Sequence, residues 1–206
     1  MRIGAALVGL VAAVSLIAQG IVSARLMMDA GLFAVVWRML AYFTVLSNLA
    51  TLILMARAAL TGQITAKVAA VITVVMVLVG LGYHTLLAGL WAHSGLAWWA
   101  DQGLHTAAPI LVVLWWMALA PKAGLTGRDA LRWLVWPTGY AAYALARGRV
   151  TGFYPYPFID LSALTATRVA INLGALSLAF VAVAGLLIRI ARQLSDRPGS
   201  SSKARP

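Results

Sequence analysis

Six apolar stretches alternate along the chain with short segments that hold most of its charged residues. An α-helix rises about 1.5 Å per residue, so about 20 apolar residues cross the roughly 30 Å hydrocarbon core of a membrane. The stretches are Gly4–Ala24, Trp37–Ala56, Val68–Leu90, Gly103–Ala120, Leu131–Ala146 and Val169–Ile188. The pattern predicts an all-α fold, a polytopic membrane bundle of six transmembrane helices.

The bundle is expected to form one domain over residues 1–193, followed by a disordered basic cytoplasmic tail over residues 194–206. The tail combines Ser, Pro and Gly with Lys and Arg, a composition that buries too little apolar surface to fold. A basic residue before an apolar run, as at Arg2, is a feature of secretory signals. This apolar core is too long, however, and lacks a small-residue cleavage site, so we expect an uncleaved membrane helix.

Composition indicates that the solvent is lipid. Of the 206 residues, 63% are hydrophobic and 10% are charged, whereas a soluble domain is about half apolar and a quarter charged. The absence of cysteine excludes disulfides, thiolate nucleophiles and cysteine metal sites. The formal net charge of +11 does not indicate a nucleic-acid partner, because the basic residues lie between the apolar stretches instead of forming one patch. This distribution is typical of a chain oriented in an anionic bilayer.

The distribution of Lys and Arg predicts the orientation. With the N-terminus inside, eleven of the sixteen Lys and Arg residues lie on the cytoplasmic side and five lie outside. The positive-inside rule therefore favours a cytoplasmic N-terminus and a cytoplasmic C-terminus. Tryptophans are expected at both interfaces: Trp115, Trp116, Trp133 and Trp136 at the inner one, and Trp37, Trp91, Trp98 and Trp99 at the outer one.

Polar side chains of four predicted helices fall at one depth, in the outer leaflet. Helical rise places Thr44 about 10 Å and His84 about 9 Å below the outer boundary. His105 and Asn172 lie within the first two turns of their predicted helices. Ionisable groups inside a bilayer are costly, so those present are candidates for function. This shared depth is the strongest functional signal in the residues themselves.

Helical spacing brings Thr44 and Asn48 to one helix face, since residues four apart are neighbours. The same spacing brings Asp101 beside His105, where a carboxylate can fix the tautomer of the imidazole or stabilise its protonated form. His105 can then serve as general base for a nearby hydroxyl, which is the logic of nucleophilic catalysis.

The loop after the fifth stretch, residues 152–158, is also predicted to lie outside. Two prolines exclude helix there, so Tyr154 and Tyr156 can form a rigid aromatic lid over the same region. Just before the loop, Arg147 and Arg149 form a cationic pair. This pair either anchors the helix at the interface or holds a fatty carboxylate.

These residues also have purely structural explanations. A membrane threonine usually bonds its own i−4 carbonyl or joins two helices, and Asn48 and Asn172 suit interhelical hydrogen bonds. His84 fits a satisfied core position as well as a site. Asp101 fits a helix cap as well as an orienting role.

Two other classes of protein fit the residues. A lipid or small-solute binding or transport protein would use the same outer pocket without hydrolysis, although the chain lacks the midplane charges and inverted repeat of many transporters. His84 and His105 could instead hold a haem, or bind zinc together with Asp101. The histidines do not have the spacing typical of a metal site, so neither a metal nor a cofactor is expected.

Three segments around these residues resemble a known group. Residues Tyr42–Asn48, Gly103–Pro109 and Tyr154–Phe158 are similar, in order and spacing, to segments of a bacterial six-span membrane family. That family is related to the eukaryotic androgen-induced proteins and the androgen-dependent tissue-factor-pathway-inhibitor-regulating protein. The likeness covers most of the chain. The loops are shorter than in the eukaryotic members, and the doubled Tyr-Pro resembles the bacterial branch.

The eukaryotic members are intramembrane threonine hydrolases that cleave fatty acid esters of hydroxy fatty acids with one threonine and one histidine. The resemblance implies that Thr44 is a nucleophile and His105 its base, in the outer half of a bacterial cytoplasmic membrane. The other candidates are expected to bind the lipid substrate; they are Asn48, His84, Asp101, Arg147, Tyr154, Tyr156 and Asn172.

Overall fold

A computed structural model describes residues 1–90 and 92–195. These residues form helices and no β-strand. The α-helices are α1 (Arg2–Leu26), α2 (Leu32–Met39), α3 (Phe43–Thr61), α4 (Ala66–Gly82), α5 (Gly95–Gln102), α6 (Ala108–Leu119), α7 (Gly127–Trp133), α8 (Val135–Thr151) and α9 (Ala166–Ser195). π-Helical turns follow α4, at Tyr83–Leu87, and join α5 to α6, at Gly103–Ala107; a 3₁₀ turn spans Pro157–Ile159. Of the predicted tail, residues 194 and 195 belong to α9, and residues 196–206 lie outside the described residues.

Five helical segments are long and apolar enough to cross a membrane; they are Arg2–Leu26, Phe43–Thr61, Ala66–Leu87, Gly95–Leu119 and Ala166–Ser195. Their outer surfaces carry large exposed apolar side chains such as Leu7, Ile53 and Leu178. A surface of this kind suits lipid and not water. The expected helical bundle is therefore confirmed, and its five long apolar helices are compatible with an integral membrane protein.

The fifth predicted stretch, Leu131–Ala146, is divided between α7 and α8, which meet at Leu134. Pro137 explains the division, because it lacks the N–H that would bond to the Trp133 carbonyl and its ring crowds that carbonyl. α7 has 7 residues and α8 has 17. Two shorter helices therefore stand where one continuous span was predicted.

The second predicted stretch, Trp37–Ala56, is also divided, with three residues between α2 and α3. The Leu40 carbonyl accepts a hydrogen bond from the phenol of Tyr143 at 3.2 Å. The Ala41 carbonyl accepts one from Tyr140 at 2.8 Å. These donors from α8 satisfy backbone groups that the helix break releases. The break depends on a distant helix, which is why the local sequence did not predict it.

The fourth predicted stretch begins at Gly103, whereas the structure begins α5 at Gly95 and continues through the π-turn into α6. Hydropathy placed Asp101 outside the span because of its charge. The carboxylate is instead buried and hydrogen-bonded within the bundle. The helix therefore starts two turns earlier than the apolar pattern indicates.

The main apolar core lies in the half of the bundle where α1 begins. Trp115, Trp116 and Trp133 belong to this core and are at most 8% exposed. These three rings do not form the lipid-facing belt that was predicted, because they are buried between helices. Trp136 is partly exposed. The predicted outer tryptophans Trp37, Trp98 and Trp99 are exposed, and Trp91 lies outside the described residues.

Asp129 joins the start of α7 to the start of α4. Its Oδ2 accepts hydrogen bonds from the backbone N–H and the hydroxyl of Thr126, at 2.8 and 2.9 Å. Its Oδ1 lies 3.3 Å from Lys67 Nζ and 3.8 Å from Arg132 Nη1. Burial by itself raises the pKa of Asp129, but the Thr126 hydrogen bonds and the Lys67 charge outweigh burial and hold that pKa below its ordinary range. Ionised Asp129 therefore stabilises this end of the bundle.

Asp129→Ala is expected to lower the free energy of unfolding by about 2 kcal/mol at neutral pH, because a buried charge-assisted network is lost. A pKa that is depressed in the folded state contributes stability above the unfolded value of about 3.9, and that stability disappears as the pH falls through the folded value. Thermal unfolding of the purified protein between pH 7 and pH 2.5 measures this loss. The control Asp29→Ala changes an exposed residue and should leave stability unchanged. A deficit in Asp129→Ala that does not shrink with acidification would contradict the assignment.

Candidate active site

Thr44 is the second residue of α3 and lies at the N-terminal end of that helix. The first backbone N–H groups of α3 have no intrahelical partner, and Tyr42 provides no side-chain cap for them. The N–H of Thr44 donates to Tyr156 OH at 3.4 Å. Only 6% of Thr44 is exposed. The helix break places Thr44 in the first turn of α3 and not two turns down a longer helix, as the sequence predicted.

His105 lies in the π-turn between α5 and α6, and its Nε2 is 3.2 Å from Thr44 Oγ1. Its Nδ1 is 3.0 Å from the Asp101 backbone carbonyl oxygen and 3.1 Å from Asp101 Oδ1. Both oxygens are acceptors, so Nδ1 carries the proton of the neutral ring. Nε2 is left with a lone pair facing the Thr44 hydroxyl. The structure thus brings hydroxyl, imidazole and carboxylate together in the order that nucleophilic catalysis requires.

Asp101 is buried in the interior of its helix, one turn before His105. Its Oδ2 accepts a hydrogen bond from Tyr83 OH. The Tyr83 ring also stacks on His105, with the ring centroids 4.1 Å apart and an interplanar angle of 18°. The alternative that Asp101 caps a helix is wrong, since α5 begins at Gly95. Asp101 and Tyr83 together hold the imidazole in one orientation.

Asn48 is fully buried between the helices that carry Thr44 and His105. Its Nδ2 donates to the Thr44 carbonyl at 2.9 Å and to the Leu104 carbonyl at 3.3 Å. Leu104 immediately precedes His105, so one amide group bonds to both sides of the site. The sequence left Asn48 between an interhelical link and a site residue. The geometry supports the link, which sets the distance between the hydroxyl and the imidazole.

The π-turn leaves the Leu104 carbonyl free to accept the hydrogen bond from the Asn48 amide. The Ala108 N–H bonds to the Gly103 carbonyl, five residues back, and Pro109 has no N–H to offer Leu104. Gly103 also lies against Ser15 of α1, where a Cβ would overlap the serine hydroxyl. The glycine and the proline therefore allow two neighbouring helices to pack directly on the turn that holds the imidazole.

Tyr156 is the centre of an aromatic cluster that covers Thr44. Its ring contacts Tyr42 and Tyr140 edge-on, with centroids 6.0 and 6.3 Å apart. It stacks on Phe158 with centroids 5.2 Å apart. Burial raises the pKa of the Tyr156 phenol, which keeps it a neutral hydrogen-bond donor. The predicted aromatic loop thus lies against the nucleophile candidate.

Two contacts hold this loop in place. Asn172 Nδ2 on α9 donates to the Phe158 carbonyl at 2.8 Å. The Tyr154 ring lies on Gly148 of α8, where a Cβ would overlap the ring. The side chains of Asn172 and Tyr154 therefore hold the loop in position instead of bonding to the Thr44 hydroxyl.

His84 belongs to a separate polar group. Its Nε2 is 3.0 Å from Thr106 Oγ1, which donates to Gln102 Oε1 at 2.9 Å. In the π-turn after α4, the Tyr83 side chain is buried while His84 is exposed. The sequence predicted that His84 lies at the same depth as Thr44 and His105. Depth alone did not reveal that its side chain bonds to Thr106 instead of to those two residues.

Arg147 is 8% exposed, and its guanidinium lies over the Trp37 ring, 4.3 Å from the centroid. Its Nη1 donates to Tyr143 OH at 3.1 Å. Nε has no hydrogen-bond partner, and no carboxylate of residues 1–90 or 92–195 forms an ion pair with it. The guanidinium therefore retains donors for an anion.

A cavity of about 290 Å³ opens on the carboxylate side of the site. It is lined by Tyr83, His84, Ala88, Ala92, His93, Trp98, Asp101 and Gln102. Thr44 is not among these residues, and it is buried. The cavity therefore reaches the Asp101 side of the site and not the Thr44 hydroxyl.

Three tyrosines with a role at the site were not identified from the sequence. Tyr83 adjoins His84 in an apolar stretch, so the depth argument applied to its neighbour could have found it. Tyr140 and Tyr143 carry no such signal, because their partners are carbonyls released by the break between α2 and α3.

No family model, no curated protein and no solved structure matches this chain. Within the described ranges, no group of three or more histidine, cysteine, aspartate or glutamate side chains is placed to hold a metal ion. The fold and the site together define the class: a helical bundle with an apolar outer surface compatible with a membrane, and with a Thr–His–Asp hydrogen-bond chain near one end.

Proposed function

We propose that this protein is an intramembrane threonine hydrolase that cleaves a lipid carboxylic ester. The observation that carries the proposal is the 3.2 Å contact between His105 Nε2 and Thr44 Oγ1, with Asp101 at the opposite ring nitrogen. A threonine that only serves its own helix bonds the i−4 carbonyl, as Thr51 does at 2.8 Å. Thr44 instead faces an imidazole whose tautomer accepts its proton.

In the first half-reaction, Thr44 Oγ attacks the ester carbonyl carbon and its proton passes to His105 Nε2. The carboxylate of Asp101, 3.1 Å from Nδ1, stabilises the imidazolium that forms. The C–O bond of the tetrahedral intermediate then breaks, and the departing alcohol takes the proton from Nε2. The products are a free alcohol and an acyl ester of Thr44.

In the second half-reaction, His105 Nε2 takes a proton from water as the water oxygen attacks the acyl carbon. The bond to Thr44 Oγ breaks and the proton returns to that oxygen. A carboxylic acid leaves and the site is restored. Water is the only co-substrate that the balance requires.

We assign the Tyr156 hydroxyl as a donor to the oxyanion of the tetrahedral intermediate. Its oxygen accepts a hydrogen bond from the Thr44 N–H at 3.4 Å, so the phenol keeps its own proton for a substrate oxygen. The contact lies at a helix N-terminus, where the helix dipole favours negative charge. Asn48 is unsuited to this task, because its Nδ2 already donates to two carbonyls.

The proposed substrate is a membrane lipid ester, such as a fatty acid ester of a hydroxy fatty acid, the class that the family resemblance implies. A buried hydroxyl in a bundle with an apolar outer surface suits a molecule whose tails remain in lipid. Arg147 is proposed to hold the acidic end of such a substrate, since a buried guanidinium is most stable when paired with an anion.

The proposal includes six crossings, with both chain ends in the cytoplasm and the site in the outer half of the cytoplasmic membrane. The end of α7 and all of α8 cover residues 131–151, a sufficient length for one crossing beyond the five long helices despite the break at Leu134. The described residues at the bundle end where α1 begins include eight basic residues, namely Arg2, Arg57, Lys67, Lys122, Arg128, Arg132, Arg189 and Arg192. That end carries the larger positive charge and is therefore assigned to the cytoplasm.

Thr44→Ala and His105→Ala are each expected to lower hydrolysis of a fluorogenic lipid ester by about 10³-fold or more, because each removes one member of a unit that acts together. The matched control is Thr51→Ala, which removes a buried hydroxyl from the same helix and should retain activity. Rates are measured on purified protein whose thermal unfolding shows that each variant is folded.

A fluorophosphonate probe adds a direct test of the nucleophile. Wild type and Thr51→Ala should be labelled, and Thr44→Ala should not. Equal labelling of Thr44→Ala would show that another residue is the nucleophile. Lipid binding without cleavage by the wild type would favour the binding or transport class.

Tyr156→Phe is expected to lower kcat about 10²-fold with little change in KM, because the lost donor acts on the transition state. Affinity for a trifluoromethyl ketone, which forms a tetrahedral adduct, should fall with kcat. The control Tyr154→Phe changes another phenol of the same loop and should leave both values unchanged. A loss of thermal stability in Tyr156→Phe with unchanged kcat would show that the phenol is only structural.

The cysteine-free chain allows the topology to be tested with single cysteines. Ala163→Cys lies in the exposed connection between α8 and α9, and Ala123→Cys in that between α6 and α7. A membrane-impermeant maleimide applied to intact cells should label Ala163→Cys, and should label Ala123→Cys only after lysis. Labelling of both positions in intact cells would mean that α7 and α8 do not cross the membrane.

A further inference from the structure

A second cavity lies at the opposite end of the bundle from Thr44. Its volume is about 570 Å³, which is within the range of ligand sites. Its apolar wall includes Leu54, Val68 and Leu119, and its polar wall includes Arg57, Gln63 and Thr65. Leu54 lies about one turn deeper in α3 than Arg57. The cavity therefore changes from apolar to basic toward the membrane boundary.

One basic side chain lines this cavity, and two others contact residues that line it. Arg57 lines it, and no carboxylate within residues 1–90 and 92–195 pairs with that guanidinium. Arg2 packs against the lining residue Gly62. Lys122 Nζ donates to the carbonyl of the lining residue Ala120 at 2.9 Å. The positive charge is thus concentrated at the polar wall.

The protein itself provides little negative charge here. Among the described residues, Asp129 is the one carboxylate at this end, and it already pairs with Lys67 and Arg132. An amphiphile with a negative head group would complete the charge balance while its chains cover the apolar wall. A neutral head group would leave the basic residues without a partner.

We propose that this cavity binds an anionic phospholipid of the surrounding leaflet. Its phosphate would lie at Arg57 and Arg2, and its acyl chains would lie against Leu54 and Val68. Basic pockets between membrane helices recognise anionic lipid head groups in this way. The site is at the other end of the bundle from Thr44, so it does not depend on the proposed hydrolysis.

Native mass spectrometry of the purified full chain, titrated in detergent with phosphatidylglycerol or with phosphatidylcholine of the same acyl chains, tests the proposal. Phosphatidylglycerol is expected to bind at least about tenfold more tightly, since each nearby basic residue contributes to head-group binding. Arg57→Gln should weaken phosphatidylglycerol binding about fivefold and leave phosphatidylcholine binding unchanged.

The control Arg128→Gln removes an exposed basic residue at the same end, away from the cavity, and should leave binding unchanged. Val68→Phe narrows the apolar wall without a change of charge and should weaken binding of both lipids. The proposal is overturned if the two lipids bind equally, or if Arg57→Gln and Arg128→Gln have the same effect. Unchanged binding in a folded Val68→Phe variant would likewise exclude the cavity as the site.

Discussion

Inside a membrane, a backbone group that a helix releases finds no water, so the protein must provide its hydrogen-bond partner. This chain interrupts its helices at two places beside the candidate site. At the break between α2 and α3, three tyrosine phenols bond to the released groups. At the π-turn Gly103–Ala107, the amide of Asn48 bonds to the Leu104 carbonyl. The interruptions place Thr44 at a helix start and His105 on a turn, and the bonds that repair them hold the two residues together.

The electrostatics of the site follow from its burial. Asp101 has no lysine or arginine partner among the described residues; its carboxylate is bonded to His105 and Tyr83. An imidazolium that forms at His105 therefore appears beside its own counter-ion, in surroundings where charge interactions are stronger than in water. The same low polarity keeps the Tyr156 phenol protonated. In the proposed hydrolysis, the carboxylate would stabilise the imidazolium and the neutral phenol would donate to the oxyanion.

The predicted fold was accurate where apolar composition alone decides, and inaccurate where a proline or the packing between helices decides. Long apolar stretches with few charges become helices in lipid whatever their neighbours are, and five of the predicted stretches contain helices long enough to cross. Leu131–Ala146 became two helices because of Pro137, a local signal that hydropathy does not weigh. Trp115 and Trp116 were expected at an interface, but they are buried. The presence of tryptophan near a helix end does not reveal whether its ring faces lipid or the protein core.

The sequence by itself determined the helical bundle and the charge difference between its ends, because both follow from where apolar and basic residues fall along the chain. The four-residue spacing of Asp101 and His105 also indicated that they can pair, with a helix cap as the alternative for Asp101. The sequence further indicated that Thr44 and His105 share a depth. Only the tertiary structure decided that their side chains meet, that Tyr156 reaches the Thr44 N–H and that His84 bonds to Thr106 and not to Thr44. The partners of the α2–α3 break lie 99 and 103 residues further along the chain. Contacts of this kind depend on the distances and rotations between helices, which no local pattern encodes.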